Sequence, residues 1–258
     1  MNREVPAFEA VIFKPKATRF CLCIPVLNEN GRLHAELERI QSFHPQVDVI
    51  VADGGSTDGS VAADRLQPLG VRALLIKKGP GRLGAQLRMA FVWALRQGYE
   101  GVITIDGNNK DDPAAIPLFI QALDEGVDHI QGSRFIKGGR AIRTPFLRWL
   151  GVRALHAPLI AAAARFPYTD TTNGFRAYSR QLLEDPRMAI FRAVLSGYEL
   201  HYYLAIRAAR LGFRIAEVPV TREYPQTGKT PTKISGWRGN WCILLTLWKT
   251  IMGTYDPE

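Results

Sequence analysis

Short continuous apolar runs alternate along this chain with longer stretches whose apolar positions recur at helical spacing. Residues 20–26, 47–52, 71–76 and 102–105 are runs of strand length, each closing on small polar residues. Between them, residues 31–43, 58–68 and 83–97 carry the helical period. Strands buried on both faces read as unbroken apolar runs, so this β-α-β-α-β-α-β order predicts an α/β fold with a mainly parallel central sheet flanked by helices. Residues 1–19 read as an irregular lead-in broken by Pro6 and Pro15, and residues 20–236 as a single catalytic domain. Further along, the pattern predicts a helix over 113–125, a short strand and turn over 129–135 and an alanine-rich helix over 147–165 kinked at Pro158. A polar loop running into a strand over 170–180, a helix over 195–211 and an edge strand over 213–220 follow. Residues 237–258 read as a C-terminal amphipathic helix and tail, with Trp237, Trp241, Leu244, Trp248 and Met252 on one face. Such a face suits lipid headgroups, or docking onto the protein's own core or a partner subunit.

In open α/β sheets, ligands sit just past the carboxyl ends of the strands. Three such ends carry an acid beside turn residues: Glu29, Asp53 and Asp106. The most informative is Asp106-Gly107-Asn108-Asn109-Lys110-Asp111-Asp112-Pro113, following the apolar run Val102-Ile103-Thr104-Ile105. A carboxylate beside a glycine, where backbone can approach closely, suits a phosphate and its divalent cation. The same residues also read as an Asx-type turn, with Asp111 or Asp112 capping a helix that begins at Pro113. Gly79-Pro80-Gly81-Arg82-Leu83-Gly84 satisfies G-x-G-x-x-G between a strand and a helix. It belongs to the third βα unit, however, and Pro80 removes a backbone donor, which disfavours an NAD-linked oxidoreductase. A turn bringing Lys77, Lys78 and Arg82 towards phosphates is the better reading, with a purely structural turn as the alternative.

The hydrophobic share of 47% is that of an ordinary globular protein. No apolar run approaches the roughly 20 residues that cross a bilayer, and the first residues lack a secretory apolar core. Cys21 and Cys23 point to one strand face and read as core thiols in a reducing compartment rather than as a metal site. The net charge of +9 implies anionic partners. It is concentrated: no acid occurs between Asp128 and Asp170, whereas Arg134, Lys137, Arg140, Arg143, Arg148, Arg153 and Arg165 do. Arginine forks match phosphate geometry, and Gly138-Gly139 gives the segment hinge-like freedom. A nucleic-acid-binding module would account for the charge but leaves the acidic strand ends unexplained. Were the acceptor a sugar hydroxyl, a general base would be needed, and Glu199 is the candidate.

The order Pro25-x-x-Asn28-Glu29, Asp53-Gly54-Gly55-Ser56-Thr57-Asp58-Gly59, then Asp106-x-Asn108 before Asp111-Asp112-Pro113, resembles family 2 glycosyltransferases. Gly132-Ser133-Arg134-Phe135, Asp170-x-Thr172-Asn173-Gly174-Phe175-Arg176 and Glu217-Val218-Pro219-Val220 resemble its polyprenol-phosphate branch, the dolichyl-phosphate mannose synthase type. The likeness spans about residues 20–235 in the same order. It implies a nucleotide-sugar-binding glycosyltransferase A-type fold and an inverting glycosyltransferase. Such an enzyme moves a sugar from a nucleotide-sugar donor to a polyprenyl (dolichyl or undecaprenyl) phosphate at the cytoplasmic face of the membrane. A family 2 enzyme acting on a hydroxyl of a glycan or glycolipid is the alternative.

By this resemblance the donor site comprises Pro25, Asn28, Glu29, Asp53, Gly55, Asp106, Gly107 and Asn108, to which the reading of the glycine-rich turn adds Lys78 and Arg82. The acceptor site comprises Ser133, Arg134, Lys137, Arg140, Arg143, Arg148, Arg176, Arg222 and Lys233. Asp106, Arg134, Lys110 and Glu199 are the catalytic candidates, and Asp106 with Asn108 would hold Mg²⁺ or Mn²⁺. The implied partners are the nucleotide sugar, the lipid phosphate and a membrane surface met peripherally. A homo-oligomer is compatible with the reading, and nucleic acid is not expected. The chain departs from the family's Asp-x-Asp with a following glutamine: Asn108 replaces the second acid and Lys110 the glutamine. A protonated lysine is no metal ligand, so either Asp106 and Asn108 hold the metal weakly or Lys110 takes the cation's place.

Overall fold

The computed structural model describes residues 3–226 and 236–257. Its strands are β1 (Phe8–Ile12), β2 (Phe20–Val26), β3 (Asp48–Asp53), β4 (Val71–Lys77), β5 (Gly101–Thr104), β6 (His129–Ser133), β7 (Arg140–Ile142), β8 (Arg176–Ser179), β9 (Ile215–Pro219) and β10 (Thr221–Glu223). The helices are α1 (Gly31–Ile40), α2 (Ala63–Leu66), α3 (Leu83–Arg96), α4 (Ile116–Asp124), α5 (Phe146–Gly151), α6 (Ala157–Ala164), α7 (Arg180–Glu184), α8 (Glu199–Arg210) and α9 (Gly236–Ile251). Eight strands form one sheet of order β1-β4-β3-β2-β5-β8-β6-β9, and β10 pairs with β7 separately.

The expected parallel centre is present: β4, β3, β2 and β5 run in one direction. β8 is inserted antiparallel between β5 and β6, and β9 lies parallel to β6 at the edge. Side chains alternate across the sheet. Leu22, Ile24 and Val26 of β2 pack with Leu33 and Leu37 of α1, and Phe119 of α4 joins the same layer. Cys21 and Cys23 face the opposite layer with α3 and α8, as free and fully buried thiols. Each such buried apolar side chain contributes roughly 1.5–3 kcal/mol. All four strands of the parallel centre therefore end on one edge, at Val26, Asp53, Lys77 and Thr104.

Three local expectations are corrected. Residues 1–19 are not wholly irregular, because β1 pairs antiparallel with β4 from Phe8↔Lys77 to Ile12↔Ala73. Its apolar run Ala10-Val11-Ile12-Phe13 is short and lies between Pro6 and Pro15, and Glu9, Ala10 and Ile12 are exposed, as suits an edge strand. The helix expected over 58–68 shrinks to α2, since the Asp58 carboxylate accepts the N–H and hydroxyl of Ser60, and Gly59 takes φ 75°. The kink expected at Pro158 is a π turn over Val152–His156 just before it, where the Ala157 N–H reaches back to the Val152 carbonyl. α9 packs through Leu247 against Ile160 of α6 and Tyr202 and Ala205 of α8. Trp241, Trp248 and Met252 point outward, whereas Leu244 turns inward to a cavity described below. The side chain of Trp237 lies outside the described residues.

Candidate active site

At the carboxyl edge of β2 and β3 the two loops are laced together. The Asp53 carboxylate accepts the N–H groups of Gly55 and Ser56, and the Asn28 side-chain carbonyl accepts the Thr57 N–H at 2.8 Å. The Asn28 N–H in turn donates to the Ser56 hydroxyl at 2.9 Å. The buried Gln86 amide of α3 donates to the carbonyls of Val26 and Ala52, fixing the ends of both strands. Glu29 pairs with Arg32 at 2.9 Å, and Pro25 sits two residues before the loop on β2. The acids of this edge thus hold the shape of a cradle. Lys78 instead pairs with Glu9 of β1 at 3.3 Å, and Lys77 donates to the Gly79 carbonyl. The glycine-rich turn is a packing device: a Cβ at Gly84 would lie 2.6–2.9 Å from the backbone of Leu195 and Gly197, and one at Gly79 2.9 Å from that of Ala7. Arg82 stands exposed at its end, its N–H bonded to the Ser196 carbonyl.

The strand end at Asp106 is built by contacts from distant parts of the chain. A Cβ at Gly107 would collide with Val26 and come within 3.1 Å of Ile24, so this glycine lets the loop lie against β2. Arg222 donates to Asp106 at 3.0 Å and also to the buried Asp111, joining two carboxylates 5 positions apart across one guanidinium. Burial alone would raise the Asp106 carboxyl, but Arg222 and Lys110 outweigh it and hold it below its ordinary range. Asp112, not Asp111, caps the following turn by accepting the Ala114 N–H, with Pro113 at the first position. Lys110 is buried with its ammonium 5.1 Å from the centre of the Tyr224 ring. Burial and Arg222 lower it to about 8. It lines a separate cavity of about 300 Å³ with Arg39, Arg143 and Tyr224. Among the described residues, the cation hydrogen-bonded to Asp106 is Arg222, while Lys110 acts on it through its charge.

The fit to a divalent cation rests on two orphaned acceptors. Asn108 donates to Asp106 at 3.3 Å, while its own buried side-chain oxygen has no hydrogen-bond partner. His201 feels the charge of Asp106, its Nδ1 is equally unpartnered, and burial and Arg176 keep the ring neutral. A carboxylate, an amide oxygen and a neutral imidazole suit Mn²⁺ or Mg²⁺, provided that ligand oxygens complete the shell. No cluster of three or more His, Cys, Asp or Glu side chains occurs in metal-holding geometry among the described residues.

Arg134 is anchored just as firmly. Its guanidinium grips Asp170 through two bonds of 2.6 and 2.9 Å and donates to the Thr172 hydroxyl. Glu217 of β9 accepts the N–H groups of Thr169 and Asp170, so the Glu-Val-Pro-Val strand positions the loop that positions Arg134. The Ser133 hydroxyl meets that of Thr169 at 2.5 Å. Arg176 is buried and ties down backbone, donating to the carbonyls of Asn173, Thr171 and His201.

These residues meet in one cavity of about 500 Å³. Asp106, Arg134, Arg148, Arg176 and Arg222 lie along its polar side, with Tyr198, His201 and Tyr224 beside them. Arg148 donates to the Tyr224 hydroxyl at 3.2 Å. The apolar part of its lining comprises Leu147, Val152 and Leu155 from α5 and the π turn, and Ile243 and Leu244 from α9. Lys137 and Arg140 are exposed outside this lining, and Arg143 binds Glu223 and the Tyr224 carbonyl. Lys233 lies outside the described residues. Glu199 is not brought to the cavity; its carboxylate accepts the Gly197 N–H at the start of α8. Sequence reasoning missed Tyr198, His201 and Tyr202, whose i, i+3, i+4 spacing on α8 was the available signal.

Gly174 sets the position of the Asp106 carboxylate, because a Cβ there would collide with its Oδ1. Gly174→Ala is expected to keep the fold, read as a thermal midpoint within a few degrees. Displacing the carboxylate by about 1 Å should lower kcat/KM on the order of 100-fold, and an unchanged rate would show that its position is not critical.

Comparison with known proteins gives this geometry its context. Residues 21–186 match the family described as Glycosyl transferase family 2. The chain is 31% identical over 243 residues to a polyprenol monophosphomannose synthase of Mycolicibacterium smegmatis, covering 91% of this chain and 88% of that protein. It is 31% identical over 225 residues to an undecaprenyl-phosphate mannosyltransferase of Micrococcus luteus, covering 84% and 88%. Among solved structures, glucosyl-3-phosphoglycerate synthase from Mycobacterium tuberculosis, in complex with Mn²⁺, UDP-glucose and phosphoglyceric acid, superposes with a TM-score of 0.65. The identity is 20%, over 93% of this chain and 80% of that one. That likeness shows the glycosyltransferase A-type fold. With the family's strand-end acids assembled on one edge and the match extending over most of the sheet, the chain belongs to glycosyl transferase family 2.

Proposed function

We propose that this protein transfers a sugar from a nucleotide-sugar donor to a polyprenyl phosphate, with inversion at the anomeric carbon. The observation that carries the reading is a cavity lined both by arginine guanidiniums and by the apolar side chains Leu147, Val152, Leu155, Ile243 and Leu244. A lipid phosphate combines the same two characters, whereas a glycan hydroxyl has no use for the apolar lining. The relatives named for polyprenol and undecaprenyl phosphate support the acceptor class, and their names point to mannose as the sugar.

The chemistry follows from the chain's own residues. The cradle of Asn28, Glu29, Asp53 and Gly55 holds the nucleoside end, and Asp106 faces the diphosphate. Asp106 and Asn108 would hold a divalent cation there, and its chemistry would be to neutralise charge developing on the departing diphosphate. Arg222 is a fixed positive charge at the same place. Arg134 and Arg148 hold the acceptor phosphate, an anionic nucleophile that needs no general base. That agrees with the Glu199 carboxylate being engaged by the Gly197 N–H rather than facing the cavity. The reaction takes place at a membrane surface that the chain meets peripherally; no described helix is long and apolar enough to cross one.

The test is product formation. With polyprenyl phosphate and a panel of nucleotide sugars, mass spectrometry should show a lipid-phosphate sugar from one donor. Polyprenol lacking the phosphate should give none. Transfer only to a free hydroxyl would refute the reading.

A further inference from the structure

The loop that follows Asp106 is tied by backbone to the far side of the cavity. The Asp112 N–H donates to the Thr221 carbonyl and the Glu223 N–H to the Lys110 carbonyl, so residues 110–112 lie antiparallel against β10, with Asp111 opposite Arg222. β10 in turn pairs parallel with β7, from Thr221↔Arg140 to Glu223↔Ile142. Residues 143–145 then lead into α5, which carries Arg148. A ladder of three short segments therefore joins the strand end at Asp106 to the helix that supplies an arginine to the cavity.

Tyr224 stands at the end of this ladder. Its N–H donates to the Ile142 carbonyl at 3.1 Å, and its own carbonyl accepts from the Arg143 guanidinium at 2.8 Å, which ties its backbone to β7. Tyr224 is 3% exposed and lines both the cavity of about 500 Å³ and that of about 300 Å³. The Lys110 ammonium lies over its ring, 5.1 Å from the centre, and the Arg148 guanidinium carbon at 5.7 Å. Arg148 also donates to its hydroxyl at 3.2 Å. A buried aromatic ring attracts each cation through its negative face. Arg148 gains most from such an anchor. None of the α5 residues is buried, and Phe146, Leu147, Trp149 and Leu150 around it are exposed, so burial of the helix does not place its guanidinium.

We infer that Lys110 and Tyr224 are positioning residues for the acceptor: the Lys110 ammonium sets the Tyr224 ring, and the Tyr224 hydroxyl sets the Arg148 guanidinium against the acceptor phosphate. Lysine in place of the family's glutamine then acts on the acceptor half of the reaction and not on the donor's cation. The chemistry of the two side chains agrees with this. A protonated lysine cannot ligate a metal, and a neutral glutamine amide brings no charge to an aromatic ring. Lys110 and Arg148 lie 38 positions apart in the chain, and Tyr224 is the one described side chain that both cations are shown to contact. The inference deepens the proposed function and rests on its acceptor class.

Steady-state kinetics of the full chain with polyprenyl phosphate separate the acceptor from the donor. Tyr224→Phe keeps the ring and loses the hydroxyl, and should raise the KM for polyprenyl phosphate about tenfold with a much smaller change in kcat. Lys110→Gln should raise the same KM about threefold. Its donor affinity in the presence of Mn²⁺, read by calorimetry, should match wild type. Added to Tyr224→Phe, Lys110→Gln should raise the KM no further, because its effect reaches the phosphate through that hydroxyl. Urea unfolding reads the contact without turnover: Tyr224→Phe and Arg148→Ala together should destabilise the protein by less than the sum of their separate effects. Strictly additive losses in urea would overturn the contact. Independent, multiplying effects of Lys110→Gln and Tyr224→Phe on the acceptor KM would overturn the relay. So would tighter Mn²⁺-dependent donor binding by Lys110→Gln, which would place residue 110 at the metal. Transfer by wild type with an unchanged acceptor KM in Tyr224→Phe overturns this inference alone, whereas wild-type protein that transfers nothing to polyprenyl phosphate overturns the proposed function along with it.

Discussion

Asp106→Asn should reduce kcat/KM by about a thousandfold, equivalent to roughly 4 kcal/mol of transition-state stabilisation, with little change in thermal midpoint. The isosteric amide keeps an oxygen for the Arg222 N–H, and Arg222 retains Asp111, so neither buried partner is stranded. What disappears is the negative charge. Three consequences would meet at that point: the proposed cation ligand is lost, Arg222 is left half-neutralised, and the donor diphosphate loses its counter-ion geometry. The expected signature is therefore specific. With Mn²⁺ present, wild-type protein should bind the donor more tightly than the variant, and in excess chelator the two should bind it equally weakly, as read by calorimetry. A variant that keeps wild-type turnover would move the reaction centre away from this strand end. Equal donor binding with Mn²⁺ present would show that Arg222, not a metal, carries the charge there.

The parts of this site that were legible in the sequence are those set by local chemistry. Residues 47–52 and 102–105 declare themselves as buried strands because neither face meets water, and Asp53 and Asp106 follow at the points where such strands must end. The parts that were not legible depend on contacts across long separations. Arg222 reaches Asp106 across 116 positions, and no local pattern marks the pairing. The antiparallel insertion of β8 between β5 and β6 places Gly174 against Asp106 in the same way. Charge by itself also misleads about role. Arg176 and Arg134 both look like phosphate ligands, yet Arg176 is consumed by three backbone carbonyls, and Lys78 by Glu9. Lys110 illustrates the limit differently, since its substitution for the family's glutamine is plain in the sequence while its direction, towards Tyr224, is not.

Arg134→Ala should lose both activity and stability, and the two losses are separable. The Arg134 and Asp170 side chains are almost wholly buried, so removing the guanidinium strands a carboxylate that burial already penalises. Breaking such a pair costs about 3–5 kcal/mol, moderated here because Asp170 still accepts the N–H groups of Arg134 and Thr172. For a chain of this size the thermal midpoint should fall by about 10 °C. Arg134→Ala/Asp170→Asn removes the stranded charge as well, and should recover more than half of that loss, so the two substitutions are strongly non-additive in stability. In turnover they should not compensate: with no guanidinium beside the acceptor phosphate, the double variant should remain at least about a hundredfold below wild type at saturating donor. Arg134→Lys gives the complementary comparison, restoring charge without the fork that grips Asp170 and a phosphate oxygen together, and should be intermediate in both measures. If the double variant regained both stability and turnover, Arg134 would be a counter-ion for Asp170 alone. The acceptor phosphate would then have to be held by Arg148 and Arg222, the other arginines that line the cavity beside the backbone-bound Arg176.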